Sequence, residues 1–327
     1  MNILIVSSGI IPALKYGGTE RVIWYLGKEL CKIGHKVTFL VSKGSYCDFA
    51  TVLFYDRNRK LSEQIPSSTD IVHFNFVPSE LIEKPYIVTI HGNCNDFREF
   101  DLNTVFVSKN HAARFGSDSF VYNGLDWNDY GNPDFESRKD HFHFLGKAAW
   151  SVKNLKGAIN VIKATENENL MVLGGNRLNL KMGFRFTLSS RIHFYGMIGG
   201  EEKNILLRKS KGLIFPVRWN EPFGLALIES LFFGCPIFGT PYGSLPEIVN
   251  SEVGFLSNSA GELVKEIGNV DRFSRLQCHN YALELFNSKK MTESYLEKYV
   301  KVLNGGKLNN RPPKLIEKQT KKLLDWE

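Results

Sequence analysis

The stretch that decides the fold runs from Gly212 to Thr240 and reads GLIFPVRWNEPFGLALIESLFFGCPIFGT. It opens with an apolar run that predicts a buried strand. The segment GLALIESLFFG (224–234) then has the spacing of a helix that stops at Gly234. The run PIFGT predicts the next strand. A strand, loop, helix and strand in this order are typical of a parallel sheet covered by helices.

The same alternation fills the rest of the chain. Apolar runs such as NILIVS, KVTFLVS, DIVHFNF and YIVTIHG occur in the first half, and HFHFLG, LMVLGG and RIHFYG in the second, with helical patterns between them. A chain of 327 residues also exceeds the size at which one hydrophobic core usually keeps growing. We therefore predict an α/β fold class with two Rossmann-like, doubly wound parallel-sheet domains and an interdomain cleft.

The polar, turn-rich stretch GNPDFESRKD (131–140) is interpreted as the linker between the domains. We predict an N-terminal domain over residues 1–135 and a C-terminal domain over 141–290. Residues 291–327 should form a C-terminal helix that packs back on the N-terminal domain, followed by a basic tail. The tail combines leucines and a tryptophan with lysines, so it is either a helix lying on an anionic membrane or a packed or solvated extension.

The net charge of +7 is spread unevenly along the chain. Residues 1–140 carry −2, residues 141–306 carry +6 and the tail from residue 307 carries +3. A basic second half fits a phosphate-bearing ligand, nucleic acid or an anionic membrane. No nucleic-acid recognition motif is present, so we expect no nucleic-acid partner. Scattered cysteines without a C-x-x-C pair favour reduced thiols and a cytoplasmic protein, and no apolar run is long enough for a transmembrane helix.

Two glutamates interrupt the deciding stretch, Glu221 before the predicted helix and Glu229 inside it. Carboxylates in an apolar run need a partner. Free N–H groups near Phe223, Gly224 and Leu225 would form an anion site at the helix start, which suits a diphosphate. Glu229 would then accept hydrogen bonds from a ribose diol and Glu221 from sugar hydroxyls. Alternatively, Glu221 caps the helix and Glu229 lies exposed.

Two lysines follow another predicted strand of the second domain, in FLGKAAWSVKN (144–154). Lys147 and Lys153 flank a loop that opens a helix, where two ammonium groups would neutralise a diphosphate. Alternatively, both are ordinary surface lysines. No D-x-D pair is present, so we expect no metal and no cofactor.

Two positions in the first domain also lie where ligands bind. Gly17 and Gly18 separate the first strand from the first helix, so backbone can approach a ligand closely there. His91 follows the strand in VTIHG and lies at the expected cleft. A helix-start loop without a ligand and a structural histidine are the alternatives.

Together these stretches resemble the retaining glycosyltransferases of family 4, which have the GT-B fold. The resemblance covers about residues 2–303, and its most specific piece is EPFGLALIESLFFGCPIFGTPYGSLPEIV, which matches the family's E-x7-E signature. Supporting pieces, in the expected order, are GGTERVIWYLGKEL, VTIHG, VFVSKNHAARFG, VYNGLD and RIHFYGMI.

The resemblance assigns a role to each candidate residue. It implies that Glu221 contacts the donor sugar, that His91 faces the reacting sugar and that Glu229 holds the ribose hydroxyls. The remaining implied donor-binding residues are Gly17, Gly18, Lys147, Lys153, Met197, Phe223, Gly224 and Leu225. Among these, Met197 matches a position whose backbone contacts the base. Lys147 departs from the family pattern, because an arginine is usual there and lysine lacks its bidentate fork.

The resemblance also implies an activity: transfer of a sugar, with retained anomeric configuration, from a UDP-, GDP- or ADP-sugar to an acceptor hydroxyl. The acceptor would be a carbohydrate, a lipid-linked sugar or a small molecule, recognised by loops around residues 9–16 and 44–50. The pathway would be the synthesis of a surface polysaccharide, glycolipid or other glycoconjugate. The alternatives are a sugar-nucleotide epimerase or a phosphorylase on the same fold, or a non-catalytic nucleotide-sugar binding subunit, which the altered Lys147 keeps open.

Overall fold

A computed structural model of the protein describes residues 1–13, 17–179 and 185–327. Residues 14–16 of the first expected acceptor loop therefore lie outside the described part. The strands, numbered along the chain, are β1 (Asn2–Val6), β2 (Lys36–Val41), β3 (Thr51–Phe54), β4 (Ile71–Phe74), β5 (Tyr86–Ile90), β6 (Thr104–Phe106), β7 (His141–Leu145), β8 (Leu170–Leu173), β9 (Leu178–Asn179), β10 (Arg185–Phe186), β11 (Ile192–Phe194), β12 (Ser210–Phe215), β13 (Ile237–Gly239) and β14 (Gly254–Leu256). The helices are α1 (Gly18–Lys32), α2 (Lys109–Arg114), α3 (Leu155–Ala164), α4 (Gly200–Arg208), α5 (Leu225–Phe232), α6 (Leu245–Ile248), α7 (Ala260–Ile267), α8 (Arg275–Leu285) and α9 (Ser288–Leu303).

The chain divides into two units. The first unit comprises Met1–Asp126 and Phe286–Gln319, and the second comprises Trp127–Leu285 and Thr320–Glu327. The first holds a six-stranded sheet in the order β3-β2-β1-β4-β5-β6, and the second a six-stranded sheet in the order β11-β8-β7-β12-β13-β14. All pairings within both sheets are parallel. The prediction of two Rossmann-like parallel-sheet domains is therefore confirmed.

Helix α9 belongs to the first unit because its tyrosines complete a buried polar chain. The Tyr299 hydroxyl lies 2.7 Å from His73 Nδ1, His73 Nε2 lies 2.7 Å from Thr89 Oγ1, and Thr89 Oγ1 lies 3.1 Å from the Tyr295 hydroxyl. All four side chains are buried. Buried polar groups need such partners, so strands β4 and β5 select this face of α9. Burial lowers the pKa of His73 to about 3, which keeps its ring neutral.

Replacing Tyr299 with phenylalanine is expected to destabilise the first unit by about 1–3 kcal/mol, because His73 Nδ1 then stays buried without a partner. The measurement is the urea concentration at half-unfolding of the full chain. Tyr46→Phe is the matched control, since the Tyr46 ring is 60% exposed and should change little. Equal midpoints for the two variants would show that the Tyr299 hydroxyl contributes nothing.

The second unit begins nearer the N-terminus than the predicted linker. Trp127 stacks on Phe232 of α5 with ring centroids 4.5 Å apart and planes 4° apart, and the Tyr130 hydroxyl donates to Glu229. The predicted linker itself is attached to this unit, since Lys139 Nζ donates to the Arg208 carbonyl oxygen at 2.8 Å. The chain therefore changes units after residue 126 and not between 135 and 141, because two aromatic rings in a turn-rich segment find partners on α5 and its neighbours.

The tail folds onto protein along much of its length, and residues 307–327 contain no helix. Leu315 is buried in an apolar cluster of the first unit, and Trp326 packs against the core of the second. Leu324 and Arg218 exchange two hydrogen bonds, N to O at 2.9 Å and Nε to O at 2.6 Å. The interpretation as a packed extension thus fits these contacts, and binding of the tail to a membrane stays a prediction.

Among the described residues, no helix combines the length and the apolar character needed to cross a bilayer. All five cysteines are free thiols.

Candidate functional site

The candidate residues of the second unit lie at the carboxyl edge of its sheet, where open α/β sheets bind ligands. Glycines let the loops at this edge approach closely. Gly146 N–H donates to the Leu173 carbonyl at 3.0 Å, and Ala148 N–H donates to the Gly174 carbonyl at 2.9 Å. A Cβ atom on Gly174, which has φ +127°, would collide with the Gly146 backbone. The loops after β7 and β8 can therefore pack together only with glycine at this position.

Lys153 is placed by a tight turn that Asn154 stabilises. Asn154 has left-handed backbone torsions, φ 52° and ψ 46°, and its side chain accepts from Gly157 N–H at 3.0 Å as the cap of α3. Its Nδ2 donates to the Pro216 carbonyl at 3.0 Å, and Arg218 N–H donates to the Val152 carbonyl at 2.7 Å. These bonds join the turn to the loop that follows β12.

Glu221 lies against this turn and forms a buried ion pair. Its Oε2 is 2.5 Å from Lys153 Nζ and accepts from Trp219 Nε1 at 2.7 Å. The ammonium also lies 5.1 Å from the ring centres of Phe215 and Trp219. Glu221 and Lys153 are both buried, so each compensates the charge of the other. Within the described residues, Glu221 Oε1 has no hydrogen-bond partner.

The backbone around Glu221 is fixed by the segment after β13. Ser244 N–H donates to the Glu221 carbonyl at 2.9 Å, and the Ser244 hydroxyl donates to the Phe223 carbonyl at 2.7 Å. Gly243 has φ +65°, and a Cβ there would collide with the Glu221 backbone. Only glycine therefore allows this close approach.

Helix α5 starts beside Glu221 with open donors. Gly224 precedes the helix with φ 85° and ψ 74°, and no side chain caps it. The N–H groups of Gly224, Leu225 and Ala226 donate to no acceptor within the described part, and these residues are partly exposed. Open N–H groups at the start of a helix are an arrangement that suits an anion. The alternative in which Glu221 caps this helix is wrong, because its carboxylate binds Lys153 and Trp219 instead.

Lys147 joins the same cluster through aromatic rings. Its Nζ lies 5.0 Å from the ring centre of Trp150, which meets Trp219 edge to face at 6.5 Å. No described carboxylate pairs with Lys147, which is half-buried. Within the described residues, Lys147 is therefore a cation without a counterion.

Glu229 is more deeply placed than either interpretation of the sequence expected. Its side chain is buried, and Oε1 forms an ion pair with Lys203 of α4 and accepts from the Tyr130 hydroxyl at 3.1 Å. Lys203 Nζ also lies 4.9 Å from the centre of the Tyr130 ring. The alternative of an exposed Glu229 is wrong, because α5 turns this residue toward α4.

A buried histidine fixes the rotation of α5. His143 of β7 lies with Nδ1 2.6 Å from the Ser210 hydroxyl and Nε2 2.8 Å from the Ser230 hydroxyl. The Ser230 hydroxyl donates to the Ala226 carbonyl at 2.7 Å, so it accepts from the histidine. Burial lowers the pKa of His143 to about 3. The neutral ring therefore ties the helix that carries Glu229 to the central strand.

In the first unit, His91 follows β5 and bonds to Asn75, which follows β4. His91 Nε2 lies 2.8 Å from Asn75 Oδ1, and Asn75 Nδ2 donates to the Val6 carbonyl at 3.1 Å. The Asn75 oxygen therefore accepts, and Nε2 carries the proton. Burial lowers the pKa of His91 to about 4, so the ring is neutral and its Nδ1 is an acceptor.

Gly17 directly precedes α1 and Gly18 is its first residue, and Gly17 lies close to an acidic side chain. A Cβ atom on Gly17 would lie 2.8 Å from Glu20 Oε2, and one on Gly9 would lie 2.8 Å from Glu20 Oε1. The Glu20 carboxylate thus folds back over this loop, where its negative charge would repel a bound anion.

Met197, the predicted neighbour of the base, follows β11 and is 37% exposed. Residues 1–13, 17–179 and 185–327 contain no group of three His, Cys, Asp or Glu side chains that could hold a metal ion.

Sequence analysis missed three residues of the second-unit site: Trp219, Lys203 and Tyr130. Trp219 stands two positions before Glu221, and an indole so close to a candidate carboxylate was a usable signal. Lys203 lies in EEKNILLRK, which looks like an ordinary charged helix surface. Nothing local indicates that this lysine turns inward to a carboxylate.

Residues 133–276 match the family of glycosyl transferases, group 1. The match covers less than half of the chain and lies entirely within the second unit. The second unit thus contains the segment that is similar to glycosyl transferases of group 1.

A curated relative, the O-antigen chain mannosyltransferase C of Escherichia coli, is 25% identical over 177 residues, which are 50% of this chain and 47% of the relative. The chain therefore spans about half the length of this relative.

Solved structures share the fold of almost the whole chain. AviGT4, a glycosyltransferase involved in avilamycin A biosynthesis, has a TM-score of 0.76 and 20% identity, covering 93% of this chain and 98% of its own. Anabaena HepE in complex with UDP-glucose has a TM-score of 0.66 and 13% identity, covering 92% and 100%. The catalytic domain of Arabidopsis thaliana starch synthase IV, bound to ADP and acarbose, has a TM-score of 0.67 and 12% identity, covering 92% and 99%.

Proposed function

We propose that the protein is a retaining glycosyltransferase of family 4 that transfers a sugar from a nucleotide diphosphate donor to an acceptor hydroxyl. The observation that carries this proposal is the cluster of Lys153, Trp219 and Glu221 beside the open start of α5. The family match over the same segment supports it. Similar structures that hold UDP-glucose or ADP support a nucleoside diphosphate as the common part of the donor.

The diphosphate would bind between Lys147, Lys153 and the N–H groups of Gly224 and Leu225. Charge-assisted hydrogen bonds are worth roughly 1.5–3 kcal/mol each. A micromolar to millimolar donor needs about 4–8 kcal/mol of binding free energy, which these groups suffice to supply. With lysines in this role, we propose that transfer needs no metal. The test is that activity stays unchanged in excess EDTA.

The carboxylates would hold the two sugars of the donor. Glu221 Oε2 is occupied by Lys153 and Trp219, which leaves Oε1 as the acceptor for hydroxyls of the transferred sugar. Glu229 would accept from the ribose diol, and Lys203 and Tyr130 would hold its carboxylate in place. Met197 would lie next to the base.

We propose the following course for the reaction, in keeping with the family resemblance. The acceptor oxygen forms a bond to the anomeric carbon on the face from which the diphosphate departs, and the acceptor proton passes to the departing phosphate oxygen. The lysines and the helix start stabilise the charge that develops on the diphosphate. His91, a neutral ring with an open Nδ1, would accept a hydrogen bond from a hydroxyl of the reacting sugar.

The biological setting is also part of the proposal. Likeness to an O-antigen chain mannosyltransferase supports a hexosyl donor and the synthesis of a surface polysaccharide or related glycoconjugate. Free cysteines and cytosolic sugar nucleotides favour a cytoplasmic location.

Replacing Glu221 with glutamine is expected to lower kcat by about 100-fold, because the isosteric amide loses the charge on which Lys153 and the sugar hydroxyls depend. The affinity for the nucleoside diphosphate should change less than threefold. The measurements are transfer rates and calorimetric titration of UDP, GDP and ADP, with NMR of the product to report the anomeric configuration. Equal kcat for variant and parent would remove Glu221 from the reaction.

Replacing Trp219 with phenylalanine is expected to lower kcat by about tenfold with little change in KM. Phenylalanine keeps an aromatic ring over Lys153 and removes only the N–H group that orients Glu221. Trp150→Phe is the matched control, because Trp150 lies in the same cluster and makes no contact with Glu221. The same loss in both variants would indicate general loosening of the cluster.

The competing functions give different results in the same assays. A binding subunit takes up the nucleoside diphosphate and transfers nothing to any acceptor. An epimerase converts the sugar nucleotide without an acceptor, and a phosphorylase requires inorganic phosphate.

A further inference from the structure

A separate cavity of about 540 Å³ lies on the first unit. Its walls come from Tyr55 and residues 57–61, which follow β3, and from residues 76, 77, 79 and 80, which follow β4. Both segments extend from the carboxyl ends of parallel strands, the edge at which α/β sheets bind ligands. The volume is that of a small-molecule pocket, for which about 300–1,000 Å³ is usual.

The net charge of the side chains that line this cavity is positive. Arg57, Arg59 and Lys60 are exposed at its rim, and none of them pairs with a carboxylate of the described residues. The acid in the lining, Glu80, is already occupied, because it accepts from Leu61 N–H and, at 3.0 Å, from the Ser62 hydroxyl. The lining therefore carries three cations and one anion, a net charge of +2, and Asp56 of the same loop is a further exposed acid.

The loop that carries Arg57, Arg59 and Lys60 is held in one conformation by hydrogen bonds to the side chain of Gln64. Gln64 Nε2 donates to the carbonyl oxygens of Asp56, Arg59 and Lys60 at 2.9, 3.2 and 3.2 Å. Gln64 Oε1 accepts from Asp56 N–H at 2.8 Å. A turn with four internal bonds to one side chain is already ordered, so binding here costs little loop entropy.

The same cavity has an apolar wall. Tyr55 and Phe76 line it with ring centroids 6.0 Å apart. Val77 in the lining is 48% exposed, and the nearby loop residue Leu81 is 86% exposed. Large exposed apolar side chains next to unpaired cations indicate a ligand that has both an anionic group and an apolar part.

We propose that this cavity binds the phosphate group of an amphiphilic acceptor, a phosphate ester or diester next to an apolar chain. The three cations bind the phosphate, and the two aromatic rings and Val77 contact the first part of the ligand's apolar chain. The role as acceptor rests on the proposed function; the binding itself does not. Phe76 directly follows Asn75, the partner of His91, so the loop that lines the cavity also positions that histidine.

The test is calorimetric titration of the full chain with n-decyl phosphate, with a saturating nucleoside diphosphate present so that the second-unit cations are occupied. Arg57→Gln/Arg59→Gln/Lys60→Gln should bind on the order of tenfold more weakly, or worse. The matched control removes the same charge from exposed lysines elsewhere on the first unit, as Lys36→Gln/Lys301→Gln/Lys307→Gln, and should bind like the parent. Equal affinities of the two triple variants overturn the proposal.

Two further probes distinguish an amphiphilic phosphate ligand from a soluble one. Methyl phosphate should bind at least tenfold more weakly than n-decyl phosphate, and neutral n-decyl maltoside should not compete. Equal binding of methyl and decyl phosphate overturns the amphiphilic ligand in favour of a soluble phosphate. Both triple variants should bind the nucleoside diphosphate like the parent. If the parent itself binds none, the proposed function fails, and the decyl phosphate titration without nucleotide still tests this cavity.

Discussion

Replacing Glu229 with alanine is expected to destabilise the second unit by about 3–5 kcal/mol, because Lys203 is then left buried without its counterion. The loss follows from burial of both partners of the ion pair and from the second bond of Glu229 to Tyr130. The same substitution should weaken binding of the nucleoside diphosphate. The measurements are hydrogen exchange of the second unit and calorimetric titration.

Stability and binding can be separated with a second variant. Lys203→Met/Glu229→Leu removes both charges and fills their space with apolar atoms, which restores most of the stability of a broken buried pair. Its affinity for the nucleoside diphosphate should stay low, because no carboxylate remains for the ribose. A double variant that regains the parent's affinity would show that Glu229 serves only the structure.

The sequence predicts the two sheets because each buried strand is a continuous apolar run, and this signal is local. The position of the boundary between the units, in contrast, depends on contacts between residues that are far apart in the chain. Trp127 and Tyr130 stand in a segment rich in Asn, Asp and Gly, which indicates a turn, and their partner Phe232 lies about a hundred residues later in the chain. Packing between residues so far apart produces no periodic pattern in the local sequence from which it could be predicted.

In the candidate site, too, some features follow from local sequence signals and others depend on contacts between distant residues. The location of Lys153 and Glu221 at strand ends follows from the order of apolar runs, and motifs supplied their proposed roles. That the two form an ion pair with each other could not be predicted, because the bond joins loops after two different strands. Lys203 was missed for the same reason, since only the packing of α4 on α5 distinguishes it from its exposed neighbours Glu201 and Glu202.

Lowering the pH from 7.5 to 5 is expected to cost the first unit about 6 kcal/mol of stability and the second about 2 kcal/mol. Burial lowers the pKa of His73 and His111 in the first unit, and of His143 in the second, to about 3, and it lowers the pKa of His91 in the first unit to about 4. A lowered pKa means that the folded state keeps these rings neutral while the unfolded chain takes up protons. The stabilisation is therefore complete above about pH 6.5 and is lost progressively between about 6.5 and 3, at about 1.4 kcal/mol per pH unit for each ring.

The measurement is hydrogen exchange resolved by mass spectrometry at pH 7.5, 6 and 5, corrected for the intrinsic pH dependence of exchange, which reports each unit separately. His73→Gln removes one titrating ring, so the stability of the first unit should fall by about 1.4 kcal/mol less per pH unit than in the parent, whatever the variant costs at neutral pH. The second unit of the same variant is the internal control. Parallel losses in both units of the parent, or an unchanged slope in the variant, would mean that these buried histidines do not govern acid stability.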